Sequence, residues 1–176
     1  MKNAEFEHVK INKNRNRAKY TFANINLLGR CNANCYFCLG KDIETELMPF
    51  NQLNVPFYKW KNFEHFLNRC REENITKLYI TGQTADGLQY KYLDEIVHFL
   101  QDNGFTVGVR TNGYIAKENL RTITNMRDEI GYSIQSLIPE RNSIIMGRYN
   151  IPDWDYIIPN SGNNVRVSIV FTRYNM

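Results

Sequence analysis

Gly29-Arg30-Cys31-Asn32-Ala33-Asn34-Cys35-Tyr36-Phe37-Cys38-Leu39-Gly40 is the stretch on which the reading of this 176-residue chain turns. It holds three of the four cysteines, at the spacing C-x3-C-x2-C, while Cys70 stands apart in a helical pattern. A cytoplasmic chain keeps its thiols reduced, so clustered cysteines read first as metal ligands and not as disulfides. Structural zinc asks for four ligands, usually with the C-x2-C pair repeated downstream. Here the candidates for a fourth are His65 and Cys70, both on a helical segment further along. Three thiolates on one loop also suit a [4Fe–4S] cluster, binding three irons and leaving the fourth open to a ligand. Both metals stay open at this point.

Outward from that loop the hydrophobic pattern alternates between two periods. Residues 20–28 (YTFANINLL) read as a buried strand. Residues 57–73 read as a helix, with Trp60, Phe63, Phe66, Leu67 and Cys70 on one face. Strands follow at 75–81, 105–110, 130–135 and 165–172, with helices at 90–102 and 117–127 between them. In the third helix Leu120, Ile123 and Thr124 are expected to face inward. Residues 137–160 are irregular, with three prolines and a short helix expected near 142–146. Strand and helix in alternation at these lengths predict parallel βαβ units, with ligand-binding loops at the carboxyl ends of the strands. That edge gathers Cys31–Cys38, Gly82-Gln83, Thr111-Asn112-Gly113 and Ser133–Ser136.

The net charge is +4, and residues 1–19 account for it with six cations and two anions. The rest of the chain is balanced, which argues against the basic face of a nucleic-acid binder. The leader reads as a solvated segment; contact with an anionic polymer is the sharper alternative. No run approaches the roughly 18–20 apolar residues of a membrane span, and no apolar signal stretch follows Met1. A cytoplasmic location is expected, with no membrane partner.

In this arrangement the chain resembles the radical SAM superfamily: C-x3-C-x2-C after a first strand, with Phe37 before the third cysteine. The resemblance runs in order through residues 20–175. The second strand ends Thr81-Gly82-Gln83 where the family commonly has Gly-Gly-Glu, a departure that removes a negative charge from the amino-group clamp. The third ends Arg110-Thr111-Asn112-Gly113, similar to the family's Thr-Asn-Gly. Ser133-Ile134-Gln135 closes the fourth, and Arg148 lies in Ile-Met-Gly-Arg.

The resemblance implies an α/β fold, an open partial (βα) barrel of about five parallel strands, truncated from a six-stranded partial TIM-like barrel. It implies two segments: a basic leader at 1–19 and a core domain at 20–176. It implies an enzyme whose [4Fe–4S] cluster, held by Cys31, Cys35 and Cys38, cleaves S-adenosylmethionine to a radical that abstracts hydrogen from an unread substrate. Phe37 is expected beside the adenine. Thr81, Gly82 and Gln83 are expected at the amino group, Thr111 and Asn112 nearby, Ser133 and Gln135 at the ribose, and Arg148 at the carboxylate. An electron donor such as flavodoxin or ferredoxin is implied as partner. Two alternatives remain beside this: an activating enzyme that installs a glycyl radical on a partner protein, and a non-catalytic cysteine-rich zinc module.

Overall fold

The computed structural model describes residues 21–162 and 164–176, so the basic leader at 1–19 lies outside the described residues. Five strands form one sheet in the order β1-β2-β3-β4-β5. They are β1 (Ala23–Leu27), β2 (Lys77–Gly82), β3 (Thr106–Thr111), β4 (Ile130–Ser133) and β5 (Val165–Ser168). Every neighbouring pair is parallel. The helices α1 (Glu44–Leu47), α2 (Phe63–Glu72), α3 (Leu93–Asp102), α4 (Leu120–Asn125), α5 (Pro139–Met146) and α6 (Trp154–Ile157) occupy the connections. The expected α/β partial barrel of five parallel strands is the fold observed. Among the described residues no helix is long and apolar enough to cross a membrane.

Side chains alternate across a strand, so register decides which residues share a face. Ile25 pairs with Ile80, Ile80 with Val109, Val109 with Ile130, and Ile130 with Val165. This apolar row spans all five strands. With Leu27, Leu78, Val107 and Tyr132 it packs into one core with Leu67 and Cys70 of α2, Ile96, Val97 and Leu100 of α3, and Ile123 of α4. The opposite set, with Asn24, Asn26, Tyr79, Arg110 and Arg166, makes a more polar face.

Several boundaries differ from the sequence expectation. The expected helix at 57–73 begins as a single 3-10 turn, Phe57–Lys59, and restarts as α2 at Phe63. Trp60 turns extended and Asn62 adopts a left-handed conformation at φ 63°, so aromatic periodicity continues where the helix does not. The third expected helix likewise opens as a 3-10 turn, Lys117–Asn119, before α4. There Thr122 is buried and donates to Asp94 at 2.9 Å, whereas Thr124 faces solvent. The expected strand at 165–172 ends at Ser168, because the Val170 N–H donates to the Gln135 side chain at 2.8 Å instead of a strand carbonyl. The short turns from Leu39 to Phe50 and α6 carry no clear periodicity and were not expected.

The amino-terminal edge of the sheet is closed by Asp128. Its carboxylate accepts from Tyr79 Oη at 2.8 Å, Thr106 Oγ1 at 2.9 Å and the Glu129 N–H at 2.8 Å, and pairs with Lys77 Nζ at 3.1 Å. Burial pushes its pKa up, but these donors together outweigh it and hold the group below the ordinary carboxylate value. A depressed carboxylate stabilises the fold above its unfolded pKa of about 3.9 and loses that contribution as pH falls through the folded value. Asp128→Asn is therefore expected to cost about 1.5–3 kcal/mol at pH 7. In urea denaturation the gap from wild type should close as the medium is made acidic; a gap independent of pH would contradict the assignment.

Candidate functional site

Because the strands are parallel and in register, their carboxyl ends form one rim, and the loops leaving them meet there. Cys31, Cys35 and Cys38, all half-buried, line a cavity of about 250 Å³ together with Thr84 and Arg148. Among the described residues no three Cys, His, Asp or Glu side chains are gathered to ligate a single ion. The thiols stand around a space instead. Cys70 is buried in the core under α2, and His65 lines a separate aromatic groove on that helix, so neither approaches as a fourth ligand. The donors around the cavity are soft sulfur, the chemistry that iron–sulfur clusters and zinc select.

The cysteine loop has little regular structure, and the rest of the rim holds it. Asp86, 4% exposed, accepts from the Leu88 N–H at 3.0 Å, Thr111 Oγ1 at 2.7 Å and the Asn112 N–H at 2.6 Å. Burial pushes its pKa up against those three donors. Asp86 and Gln89 form a reciprocal capping box at the turn after β2. The same Gln89 side chain accepts from the Asn32 N–H at 3.2 Å and donates to the Arg30 carbonyl at 3.1 Å. Thr84 Oγ1 accepts from the Gly29 N–H at 3.2 Å. The loop thus hangs on the turn following β2.

On its other side the loop pairs with the end of α5. The Asn34 N–H donates to Met146 O at 2.9 Å, and the Tyr36 N–H to Ile145 O at 3.2 Å. Gly147 then turns at φ 65°, so close that an added Cβ would lie 2.6 Å from the Asn34 carbonyl oxygen. Past the turn, Arg148 stacks 4.3 Å from the Tyr114 ring centre and donates to Asn32 O at 2.8 Å. Tyr114 Oη accepts from the buried Asn142 at 2.8 Å, which fixes the ring beneath the guanidinium.

Burial pushes the Cys31 thiol up to about 11; nearby Asp86 and Cys38 add to the rise, while donors from Ala33 and Asn112 oppose it. Burial, then Cys31 and Cys38, push the Cys35 thiol up to about 12. Without a cation Cys31 and Cys35 resist taking negative charge, and a bound cationic centre would reverse that balance.

The residues singled out in the sequence fall into two groups. Cys31, Cys35, Cys38 and Arg148 meet at the cavity, and Asn112 reaches it through Cys31. Thr111 is buried against Asp86. The Gln83 N–H continues the ladder to Leu27 O at 3.0 Å, while its side chain is exposed. Gly82 is confined by its own loop, since an added Cβ would collide with the Ala85 carbonyl. Thr81 lies beside it on β2. Phe37 is half-buried, edge-on to Tyr36, and Ser133 sits on the last rung of β4 opposite Ser168. Gln135 is buried and engaged with Val170. Phe37, Thr81, Gly82, Gln83, Thr111, Ser133 and Gln135 lie outside the cavity lining. Sequence reading passed over Asp86 and Gln89, although Asp-x-x-Gln before an apolar run is a capping pattern. It also passed over Thr84, Tyr114 and Asn142, which carry no local signal.

A family model described as the radical SAM superfamily matches residues 25–172. An S-adenosylmethionine-dependent nucleotide dehydratase of Thermoplasmatales archaeon (strain ISO4-H5) is 27% identical over 131 residues, which is 74% of this chain and 43% of that protein. The crystal structure of Streptococcus suis SuiB bound to S-adenosylmethionine superposes with a TM-score of 0.63 at 17% identity, over 88% of this chain and 34% of SuiB. TYW1 with a lysine-pyruvate adduct bound gives 0.51 at 18% identity, over 84% of this chain and 54% of that one. The chain therefore spans less than half the length of the dehydratase and about a third of SuiB.

The close seat of Gly147 on the cysteine loop gives a stability test. Gly104 also has positive φ, at 85°, but open space where a Cβ would go. Gly104→Ala is expected to cost about 1–2 kcal/mol, from backbone conformation alone. Gly147→Ala should cost about 1–3 kcal/mol more, as overpacking against Asn34 adds to the same strain. Equal urea midpoints for the two variants would contradict the close contact of Gly147 with Asn34.

Proposed function

The chain belongs to the radical SAM superfamily, and from that membership we propose that it is the core of a radical S-adenosylmethionine enzyme. The observation that carries the proposal is the meeting of Cys31, Cys35 and Cys38 around one cavity at the carboxyl rim of a parallel sheet. Cys31, Cys35 and Cys38 would hold a [4Fe–4S] cluster, and with only three protein thiolates such a cluster would keep a position free for S-adenosylmethionine. When bound, such a cluster supplies the single electron with which S-adenosylmethionine is cleaved to methionine and a 5′-deoxyadenosyl radical that takes hydrogen from the substrate.

The chain's own residues bind, orient and shield. Arg148, braced by Tyr114, offers a guanidinium at the cavity wall to the cofactor's carboxylate. Thr81, Gly82 and Gln83 serve its amino group, largely through backbone atoms, since Gln83 brings no charge. Thr111 and Asn112 shape the wall behind. Phe37 meets the adenine. Ser133 and Gln135 meet the ribose, which requires Gln135 to give up its bond to Val170. The core domain spans 20–176, and the basic leader at 1–19 precedes it in sequence. Electrons come from a flavodoxin- or ferredoxin-type donor, a partner that fits a cytoplasmic setting. The substrate belongs to the whole protein.

Anaerobically reconstituted protein should turn brown and, once reduced, release 5′-deoxyadenosine from S-adenosylmethionine. Cys31→Ala, Cys35→Ala and Cys38→Ala should each lose most iron and sulfide, whereas Cys70→Ala, a change in the core, should retain them. Wild-type-like iron in any of the three loop variants would sink the proposal, and so would colourless protein that binds zinc.

A further inference from the structure

We propose that Asn112 tunes the cluster's reduction potential through Cys31, and that Asp86 is the residue that aligns it. The inference rests on the cluster reading of the cysteine loop. The Asn112 Nδ2 group lies 3.6 Å from Cys31 Sγ and 2.7 Å from Asn32 Oδ1. The Ala33 N–H reaches the same sulfur at 3.4 Å. Cys35 Sγ instead rests against the Met146 thioether at 3.5 Å. Among the described residues, Cys31 is thus the thiol that receives an N–H from outside the cysteine loop, from the turn after β3.

The orientation of the Asn112 carboxamide follows from its partners. Its Oδ1 accepts from the Tyr114 N–H at 3.1 Å. Turned over, the amide would set N–H against N–H at Tyr114 and oxygen against oxygen at Asn32. The nitrogen must face the sulfur. The backbone is equally fixed, with the Asn112 N–H on Asp86 Oδ2 at 2.6 Å and Thr111 Oγ1 on Asp86 Oδ1 at 2.7 Å. Each of these donates to Asp86, as the Leu88 N–H does, which is the pattern of an ionised carboxylate. Asn32 Nδ2 is buried without a partner among the described residues, a donor left over in the middle of the loop.

A hydrogen bond to a ligating thiolate draws electron density from the sulfur and favours the more negative, reduced cluster. The Asn112 N–H therefore raises the potential. Asp86 acts chiefly as a positioning residue: it holds the Asn112 backbone so that the carboxamide cannot drift from the sulfur. Its own negative charge near Cys31 pulls the other way.

The test is a reductive titration with titanium(III) citrate of the reconstituted full chain, followed by electron paramagnetic resonance, after iron and sulfide contents are matched. Wild type, Asn112→Ala and Asn112→Asp are compared. The expected order of potentials is wild type, then Asn112→Ala, which lacks the N–H, then Asn112→Asp, which puts an anion in its place. Asn119→Ala removes a carboxamide that, among the described residues, bonds only to the Ile115 carbonyl, and should leave the potential at the wild-type value. Identical potentials across the series, or the reverse order, would overturn the tuning role. So would failure of both Asn112 variants to hold iron that wild type holds, which would make the residue structural. Wild-type protein that takes up no iron overturns the cluster reading itself, whereas loaded protein indifferent to Asn112 overturns this inference alone.

Discussion

The row Ile25–Ile80–Val109–Ile130–Val165 is the constraint on which the site depends. A slip of one residue in any strand would turn its apolar side chains out of the core and its polar ones into it, so burial fixes the register. Fixed register in a parallel sheet makes the carboxyl ends come out together. Residues as distant in sequence as Cys31, Asp86, Asn112 and Arg148 then meet without any local signal joining them. The core chooses no chemistry, but it sets the rim on which chemistry can be built.

The rim shows how a loop without regular structure is given one conformation. The cysteine loop borrows its hydrogen bonds: from the Gln89 side chain, from Thr84 Oγ1, from Asn112 and from the backbone at the end of α5. Each partner is itself held. Gln89 is tied to Asp86 by the capping box, Asn112 to Asp86 and Tyr114, and Gly147 to Asn34 by lack of space. Buried polar groups that find all their partners make a unique arrangement, whereas a half-satisfied network costs more than an apolar one. Among the described rim residues Asn32 Nδ2 is left unpaired, next to Cys31 in the cysteine loop.

The parts legible in the sequence are those whose causes are local. Runs such as ITKLYIT announce strands because β-branched side chains suit a pleated surface, and the cysteines announce themselves because their spacing lies within one loop. Legibility failed where tertiary contacts override periodicity. Trp60 fits the aromatic stripe of α2, yet its indole bonds Val55 O at 3.1 Å and the helix waits for Phe63. Residues 169–172 read as strand, but Gln135 takes the Val170 N–H and Phe171 stands 78% exposed. Asp86 was legible in principle, since it opens a capping pattern. Its reach to β3, by contrast, exists only once β2 and β3 are adjacent. Arg148 reaches the cavity because Gly147 can turn left-handed, which the letters Gly-Arg do not reveal.

Two buried carboxylates mark the ends of the sheet, and their opposite shifts describe a division of labour. At the amino edge Asp128 has a lysine, two hydroxyls and a backbone N–H, enough to hold its charge more comfortably than water does. At the carboxyl edge Asp86 has three donors and, among the described residues, no cation, and burial prevails. A charge there raises the cost of placing further negative charge beside it, and so adds to the burial that mainly lifts the Cys31 thiol. The two ends therefore differ in sense: the donors around Asp128 favour its charge, whereas burial works against the charge of Asp86 while its three hydrogen bonds hold the rim. A cationic centre among the three sulfurs would relieve that tension. Binding such a centre would therefore be coupled to release of the thiol protons, on a rim that Asp86 already holds in place.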